Sequence, residues 1–273
     1  MITKDLYVVS DIHGHYDALI SSLESAGFDE TNENHLLIVI GDIFDRGTQS
    51  KEVYKYIRRL VDSGKAIFTK GNHDNMFIEF LRGEDSWFNF IYNGMKNTFD
   101  DFNDRTASFE SFIVLDKGYK ELLKIPEETF DILWKEYQEN TRQNILKEFP
   151  DILDWFERLP DYLETKNYIF THASIDANAK DWHNPEHSKH KYVSWDACHW
   201  DDGSFFGEEL KNIDKKIVVG HYHTDGIREK YNIDYDGTNK ILVRDDGKIT
   251  MIDTCTPITK RVNVLIIYNE ELL

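Results

Sequence analysis

Leu36-Leu37-Ile38-Val39-Ile40-Gly41-Asp42-Ile43-Phe44-Asp45-Arg46-Gly47 is the stretch that decides the fold. An unbroken apolar run of this length reads as a buried strand. It stops at a glycine, and two aspartates and an arginine follow. Ser50 to Val61 then carries Val53, Tyr56, Ile57 and Leu60 on one helical face. The same order occurs on either side. Leu6 to Ser10 is an apolar run that ends in Asp11-Ile12-His13-Gly14. Asp17 to Ala26 follows it at helical spacing. Lys65 to Thr69 is a third short strand, ending in Gly71-Asn72-His73-Asp74 before a helix over Asn75 to Leu81. Strand, loop and helix repeated three times predict a parallel sheet covered by helices, an α/β protein.

The rest of the chain is less regular. Residues from about 84 to 162 are acidic, aromatic and helical in pattern, with helices expected over Glu127 to Tyr137 and Thr141 to Trp155. Tyr168 to Thr171 and Lys216 to Val219 return to strand, with a polar, loop-like stretch from Lys180 to Phe206 between them. Ile227 to Ile267 reads as several short strands with Asp-Gly hairpin turns at 236–237 and 246–247.

Composition sets bounds. The chain has 273 residues, 40% of them hydrophobic, enough for a sizeable core. A net charge of −18 argues against a bare nucleic-acid binder, which needs basic patches. An acidic protein acting on anionic substrates needs local positive charge, and bound metal supplies it. Two cysteines, Cys198 and Cys255, make no disulfide framework. The amino-terminal stretch lacks the pattern of a signal peptide and no apolar run is long enough to span a membrane, so a cytoplasmic location is expected.

The chemistry sits where strands end, the place where open α/β sheets bind ligands. Two later strands run into Thr171-His172 and Gly220-His221-Tyr222-His223, so five strand ends carry Asp, Asn or His toward one rim. Carboxylate, imidazole and amide oxygen suit Mn, Fe or Zn. Asp11 and His13, like His221 and His223, are two residues apart, which in extended chain puts both side chains on one side. Six or seven ligands exceed what one tetrahedral ion needs, and two ions sharing a bridging carboxylate would use them.

The ordered set DIHG, GDIFDRG, GNHD, THA and GHYH resembles the calcineurin-like metallophosphoesterase superfamily. Its DRG resembles the bacterial and phage-type serine/threonine phosphoprotein phosphatase branch. The match runs from about residue 6 to 267, where the stretch from Met251 to Tyr268 resembles that family's terminal strands. The resemblance implies two mixed β-sheets packed as a sandwich flanked by helices, within a single domain over residues 1–273 carrying a helical insert at about 84–162. It implies that Asp11, His13 and His223 hold one metal, that Asn72, His172 and His221 hold the other, and that Asp42 bridges. His73 would be the general acid, Asp45 its charge partner, and Arg46 a bidentate phosphate clamp. The cofactors implied are two divalent ions, Mn first, with Fe or Zn as alternatives. The reaction implied is phosphomonoester hydrolysis by in-line attack of a metal-bridging hydroxide. Phosphorylated proteins and small phosphoesters are its candidate substrates.

Three features depart from that pattern. Asp74 stands where a glutamate is more familiar, which predicts a shifted supporting hydrogen bond. Bacterial relatives often carry an arginine two residues after the tryptophan that matches Trp195, but here the residue is Ala197. Arg228, Arg244 and Arg105 are the candidates to replace it. The 84–162 segment is long. Its aromatics, Trp87, Phe88, Phe90, Tyr92 and Phe99, read as core rather than as a cap shaping a substrate pocket. His15 reads as a solvated or helix-capping residue. His183, His187, His190 and His199 read as a solvated loop rather than a further metal site. Three rival functions stand beside the phosphomonoesterase. One is hydrolysis of dinucleoside polyphosphates, such as diadenosine tetraphosphate, or of another nucleotide at the same site. A non-catalytic metal-binding scaffold is the second, and a metal-dependent nuclease the third.

Overall fold

The alternation of side chains along two central strands sorts the core into layers. In a computed structural model, which describes residues 2–84, 87–103, 127–177, 179, 181–185, 194–211 and 213–273, β1 spans Thr3–Val9 and β2 spans His35–Ile40. Leu6 and Val8 of β1 and Leu36, Ile38 and Ile40 of β2 pack with Phe170 and Val218 from a second sheet and with Ile252 just beyond one of its strand ends. Their neighbours Tyr7, Val9, Leu37 and Val39 face the opposite way, into a cluster built with helices. Successive strand residues point to opposite faces, so a continuous apolar run is what a strand buried on both sides requires.

The first sheet has the order β3-β2-β1-β9, with β3 at Ala66–Thr69 and β9 at Leu265–Glu271. Three of its strands are parallel and β9 is antiparallel to β1. The second sheet has the order β4-β5-β6-β8-β7. Its strands are β4 (Tyr162–Glu164), β5 (Tyr168–Thr171), β6 (Lys216–Val219), β7 (Leu242–Val243) and β8 (Ile249–Met251). Its outer face, with Ile169, Ile217, Val219 and Ile249, packs on Ile175, Phe205 and Ile227. The architecture is the expected sandwich of two mixed sheets with helices outside. The five strand ends that carry the candidate Asp, Asn and His residues come from both sheets: β1, β2 and β3 from one, β5 and β6 from the other.

Helices α1 (Tyr16–Ala26), α2 (Ser50–Asp62) and α3 (Asn72–Arg82) lie in the predicted places. The middle segment differs from expectation. Two helices were predicted over Glu127 to Tyr137 and Thr141 to Trp155, but one helix runs over Glu127–Glu148 and a short one over Ile152–Glu157. Nothing between residues 137 and 141 breaks a helix, whereas Pro150 cannot continue one. Two further helices, α4 (Trp87–Tyr92) and α5 (Met95–Phe102), precede them. Phe90 and Phe99 are buried against Phe77, Phe80, Trp134 and Tyr137, as core residues, while Tyr92 is half exposed. The side chains of Trp87 and Phe88 lie outside the described residues, as do Arg105, His187 and His190.

The carboxy-terminal region holds one predicted hairpin and lacks the other. Asp246-Gly247 connects β7 and β8, which pair antiparallel. Asp236-Gly237 joins no strands. Its carboxylate accepts from Thr238 N (3.0 Å) in a local side-chain turn, and a helix over Thr224–Lys230 occupies the start of the expected strand region.

Candidate metal centre

The loop after each strand turns back at once, and it does so on residues that carry ligand atoms. Asp11, His13, Asp42, Asp45, Arg46 and His221 all have φ between +48° and +74°. This left-handed region costs a non-glycine residue about 1–2 kcal/mol. Such strain concentrates at functional sites, where the surroundings over-determine the backbone. The glycines beside these residues serve close approach. A Cβ on Gly71 would stand 2.2 Å from Asp42 Oδ1, and one on Gly220 would stand 2.2 Å from Asp11 Oδ2.

Backbone carbonyls of the site fix the histidine tautomers. His13 Nδ1 donates to Phe44 O (2.8 Å) and His172 Nδ1 donates to Ile40 O (3.0 Å). Each ring therefore aims an Nε2 lone pair into the centre. His13 Nε2 is 3.7 Å from Asp42 Oδ2 and 4.0 Å from Asp11 Oδ1. His172 Nε2 is 2.9 Å from Asn72 Oδ1, 3.2 Å from His221 Nδ1 and 3.4 Å from Asp42 Oδ2. Two donor groups result, each with its atoms within 4.8 Å: His13, Asp42 and His73, and Asp42, His172 and His221. Asp42 is common to both.

Acceptor atoms of this density, nearly all of them buried, repel one another unless a cation lies among them. The protonation pattern reflects that need. Burial opposes charge on both Asp42 and His172, but their mutual attraction wins. Asp42 stays well below the usual carboxylate range and His172 rises to about 10. Burial and neighbouring positive charge keep His13 and His221 neutral, as ligation requires. The donor set fits two divalent ions of the Mn, Fe or Zn type.

Arg46 and His73 form the other half of the site. Arg46 Nη1 donates to His13 Nε2 and Nη2 to His73 Nε2, both at 3.1 Å. His73 Nδ1 donates to Asp45 Oδ2 at 2.6 Å. His73 Nε2 therefore faces the centre, 3.9 Å from Asp42 Oδ2.

Several supporting residues complete the site, of which the sequence reading names only Asp74. Asp74, the departure from glutamate, is fully buried. It accepts from Asp42 N (2.8 Å), Gly71 N (2.8 Å) and Ile43 N (3.2 Å), tying the second and third ligand loops together. Thr98, on α5, donates to Asp45 Oδ1 (2.7 Å) and accepts from Asp45 N (2.8 Å). Arg46 N donates to Gly94 O, and Asn97 Nδ2 donates to Arg46 O. The helical segment thus holds the Asp45-Arg46 turn. Asp253 follows β8 as Asp42 follows β2. It is buried, and burial with the charge of Asp11 raises its pKa well above the usual range. An apolar run ending in aspartate, Met251-Ile252-Asp253, was the signal available in the sequence.

Other predicted residues lie elsewhere. The His223 side chain is 43% exposed, its Nε2 3.8 Å from Asp253 Oδ2, and it stands outside both donor groups. Arg228 donates to Lys240 O and Ile241 O. Arg244 donates to Phe206 O and Glu208 O and pairs with Asp246, so neither arginine replaces the missing one. His183 pairs with Asp181 and Glu164 and stacks on Trp182. His199 corrects the solvated-loop reading. It is fully buried in a short helix over Trp195–His199, its ring 6.1 Å from that of His172. Both cysteines are buried and free. Among the described residues no helix is long and apolar enough to cross a membrane.

Two mixed sheets packed face to face, with Asp, Asn and His gathered at their strand ends, are the metallophosphoesterase fold. The chain belongs to the calcineurin-like phosphoesterase family, whose sequence model matches residues 5–225. It is 32% identical over 82 residues to a bis(5′-nucleosyl)-tetraphosphatase (asymmetrical) of Bacillus velezensis, a match covering 28% of this chain and 33% of that relative. It is 26% identical over 229 residues to the protein of the same name from Oceanobacillus iheyensis, covering 80% of this chain and 72% of the relative. The chain thus spans about a third of the length of the first relative and nearly three quarters of the second. The cold-active protein-tyrosine phosphatase of a psychrophilic Shewanella species shares the fold, with a TM-score of 0.53 and 16% identity over 97% of this chain and 76% of that one.

Proposed function

We propose that this chain is a two-metal phosphoester hydrolase. The observation that carries the proposal is the convergence on Asp42 of His13, His172 and His221, with the Arg46 guanidinium and the Asp45-held His73 on the same side. Asp11, His13, Asp42 and His223 would hold one ion, and Asp42, Asn72, His172 and His221 the other. Bound divalent ions would supply an activated water and neutralise phosphate charge. Mn is the first ion to try, with Fe and Zn beside it.

The chain's own groups supply the rest. Arg46 presents two parallel N–H donors, the fork that matches two phosphate oxygens. Asp45 holds His73 Nδ1–H at 2.6 Å and so keeps Nε2 on the side of the centre. In the imidazolium form Nε2–H donates to the departing oxygen, and Asp45 stabilises that cation. Thr98 and Gly94 fix the turn that carries Asp45 and Arg46. Both cysteines lack a place in this scheme. Burial and nearby carboxylates push the Cys198 thiol up to about 12, which removes it as a nucleophile.

For the substrate, the names of the two bacterial relatives favour dinucleoside polyphosphates, with simple phosphomonoesters as the alternative at the same site. The test is turnover of 4-nitrophenyl phosphate and of diadenosine tetraphosphate by the Mn-loaded protein. Asp42→Asn and His73→Ala should each lower turnover by on the order of 100-fold or more while leaving the circular dichroism spectrum unchanged. Near-normal turnover in both variants would refute the assignment.

A further inference from the structure

A cavity of about 450 Å³ adjoins the Arg46 clamp and is bordered by His15, Asp17, Arg46, Thr48, Gln49 and Lys260. Its volume lies in the range of small-molecule sites, roughly 300–1,000 Å³. His15 stands at the N-terminal cap position of α1 but makes no capping bond. Its Nδ1 donates to His13 O at 2.6 Å, which leaves Nε2 as the acceptor. Lys260 Nζ donates to that nitrogen at 3.0 Å. The lysine is thereby steered over the cavity with two N–H donors to spare. In a chain with 50 acidic residues against 32 Lys and Arg, most described lysines find a carboxylate. Among the described residues Lys260 has no carboxylate oxygen within ion-pair distance, and its partner is a histidine. Its backbone is held at φ 55°, an uncommon conformation for lysine, directly after a short helix over Thr256–Thr259. The one carboxylate bordering the cavity, Asp17, accepts from Gln49 Nε2 at 3.0 Å.

We infer that this cavity is a subsite for the phosphate groups lying beyond the scissile one in a nucleoside polyphosphate, with Lys260 as their contact and His15 as the residue that holds it over the cavity. The inference rests on the phosphoester hydrolase reading for the position of the scissile group. Arg46 is shared, since it borders the cavity and also reaches His13 and His73. A chain of phosphates clamped by Arg46 at one group therefore has its next groups within the cavity. The ammonium of Lys260, with no carboxylate partner among the described residues, can meet a polyanion without breaking an ion pair. A single phosphate needs none of this.

The experiment compares Lys260→Gln and Lys260→Gly with the parent. Glycine keeps the left-handed backbone while removing the ammonium, so a loss common to both variants is not a backbone effect. The first readout is the ratio of kcat/KM for diadenosine tetraphosphate to that for 4-nitrophenyl phosphate. The second is calorimetric binding of tripolyphosphate and of orthophosphate to the Mn-loaded protein at fixed free Mn. The subsite predicts a fall of tenfold or more in the kcat/KM ratio and in tripolyphosphate affinity, orthophosphate affinity holding within about twofold, and recovery in Lys260→Arg. Equal changes for the two substrates and the two anions, or none, would overturn it. If the parent hydrolyses neither ester yet binds tripolyphosphate through Lys260, the hydrolase reading fails and the subsite stands.

Discussion

Removing the Asp74 carboxylate tests whether the metal centre is held by its second and third loops acting together. Asp74 Oδ2 accepts from Asp42 N and Gly71 N at 2.8 Å, and Oδ1 accepts from Ile43 N at 3.2 Å. None of these donors has access to water at a fully buried residue. Asparagine can keep the two shorter bonds on its single oxygen. Its amide nitrogen then faces Ile43 N–H, leaving one buried donor unpaired at about 1–3 kcal/mol. Burial and the neighbouring Asp42 carboxylate raise the pKa of Asp74. The neutral side chain removes that repulsion, and this places Asp74→Asn toward the lower end of the range. Alanine strands all three donors, a loss on the order of 3–6 kcal/mol. It also frees the left-handed turn at Asp42, whose relaxation by about 1–2 kcal/mol would weaken metal binding roughly tenfold. Urea denaturation of metal-free protein measures the first effect, and calorimetric titration with Mn the second. Asp74→Ala should lose on both counts and Asp74→Asn should lose less on each. Stability within about 0.5 kcal/mol of the parent together with unchanged Mn affinity in Asp74→Ala would refute the reasoning, since that is the range of an uninvolved surface change.

Three further outcomes follow from the same geometry. Thr98→Val removes the hydroxyl that both donates to and accepts from Asp45. It should lower kcat about tenfold with KM and Mn stoichiometry unchanged, read by steady-state kinetics and metal analysis. Gly220→Ala places a Cβ 2.2 Å from Asp11 Oδ2, and it should reduce bound Mn from two ions to one by equilibrium dialysis. Retention of two ions would show that Asp11 is not a ligand. Metal binding should stabilise the fold, because its donors converge only in the folded chain. At a free Mn of 100 times Kd the gain is about 2.7 kcal/mol, roughly 5–10 °C in Tm for a chain of this size. A Tm that does not change between chelator and Mn, Fe or Zn would remove the metal centre.

The parts of the fold that the sequence revealed share one cause. The proposed ligand residues Asp11, Asp42, Asn72, His172 and His221 each stand within a few residues of the end of an apolar run that fills the cores, so periodicity located both the strands and the side chains at their ends. What stayed hidden depends on contacts between distant residues. Thr98 lies 53 positions from Asp45, and Lys260 lies 245 from His15. No local pattern distinguishes a threonine that holds a catalytic turn from one that caps a helix. His199 was misread for a related reason. Its polar sequence neighbourhood suggests solvent, but burial is decided by the strand end of β5, against which its helix packs. One helix runs over Glu127–Glu148 where the sequence suggests two, because the polar stretch after Tyr137 includes Gln138 and Thr141, which are buried and hydrogen-bonded to Phe80 O and Asn103, and polarity alone does not end a helix.

The backbone of the centre explains why both sheets are needed. A glycine at position 42 or 11 would adopt φ of +59° or +51° without strain, but it would bring no carboxylate. A carboxylate there needs a left-handed turn at about 1–2 kcal/mol per residue, and several such turns lie side by side. One sheet edge could not hold them against relaxation. Here each turn is fastened across the rim. Asp11 N donates to Gly41 O, His13 N to Asp42 O, and Gly220 N to His172 O, while His221 N donates to the Asp11 carboxylate. The last of these bonds joins the second sheet to the first. Without the helical segment the Asp45-Arg46 turn would lose Thr98, Gly94 and Asn97 together. Under the proposed function this segment would serve the chemistry by immobilising a strained turn, with its buried aromatics Phe90 and Phe99 packing α5 against the core.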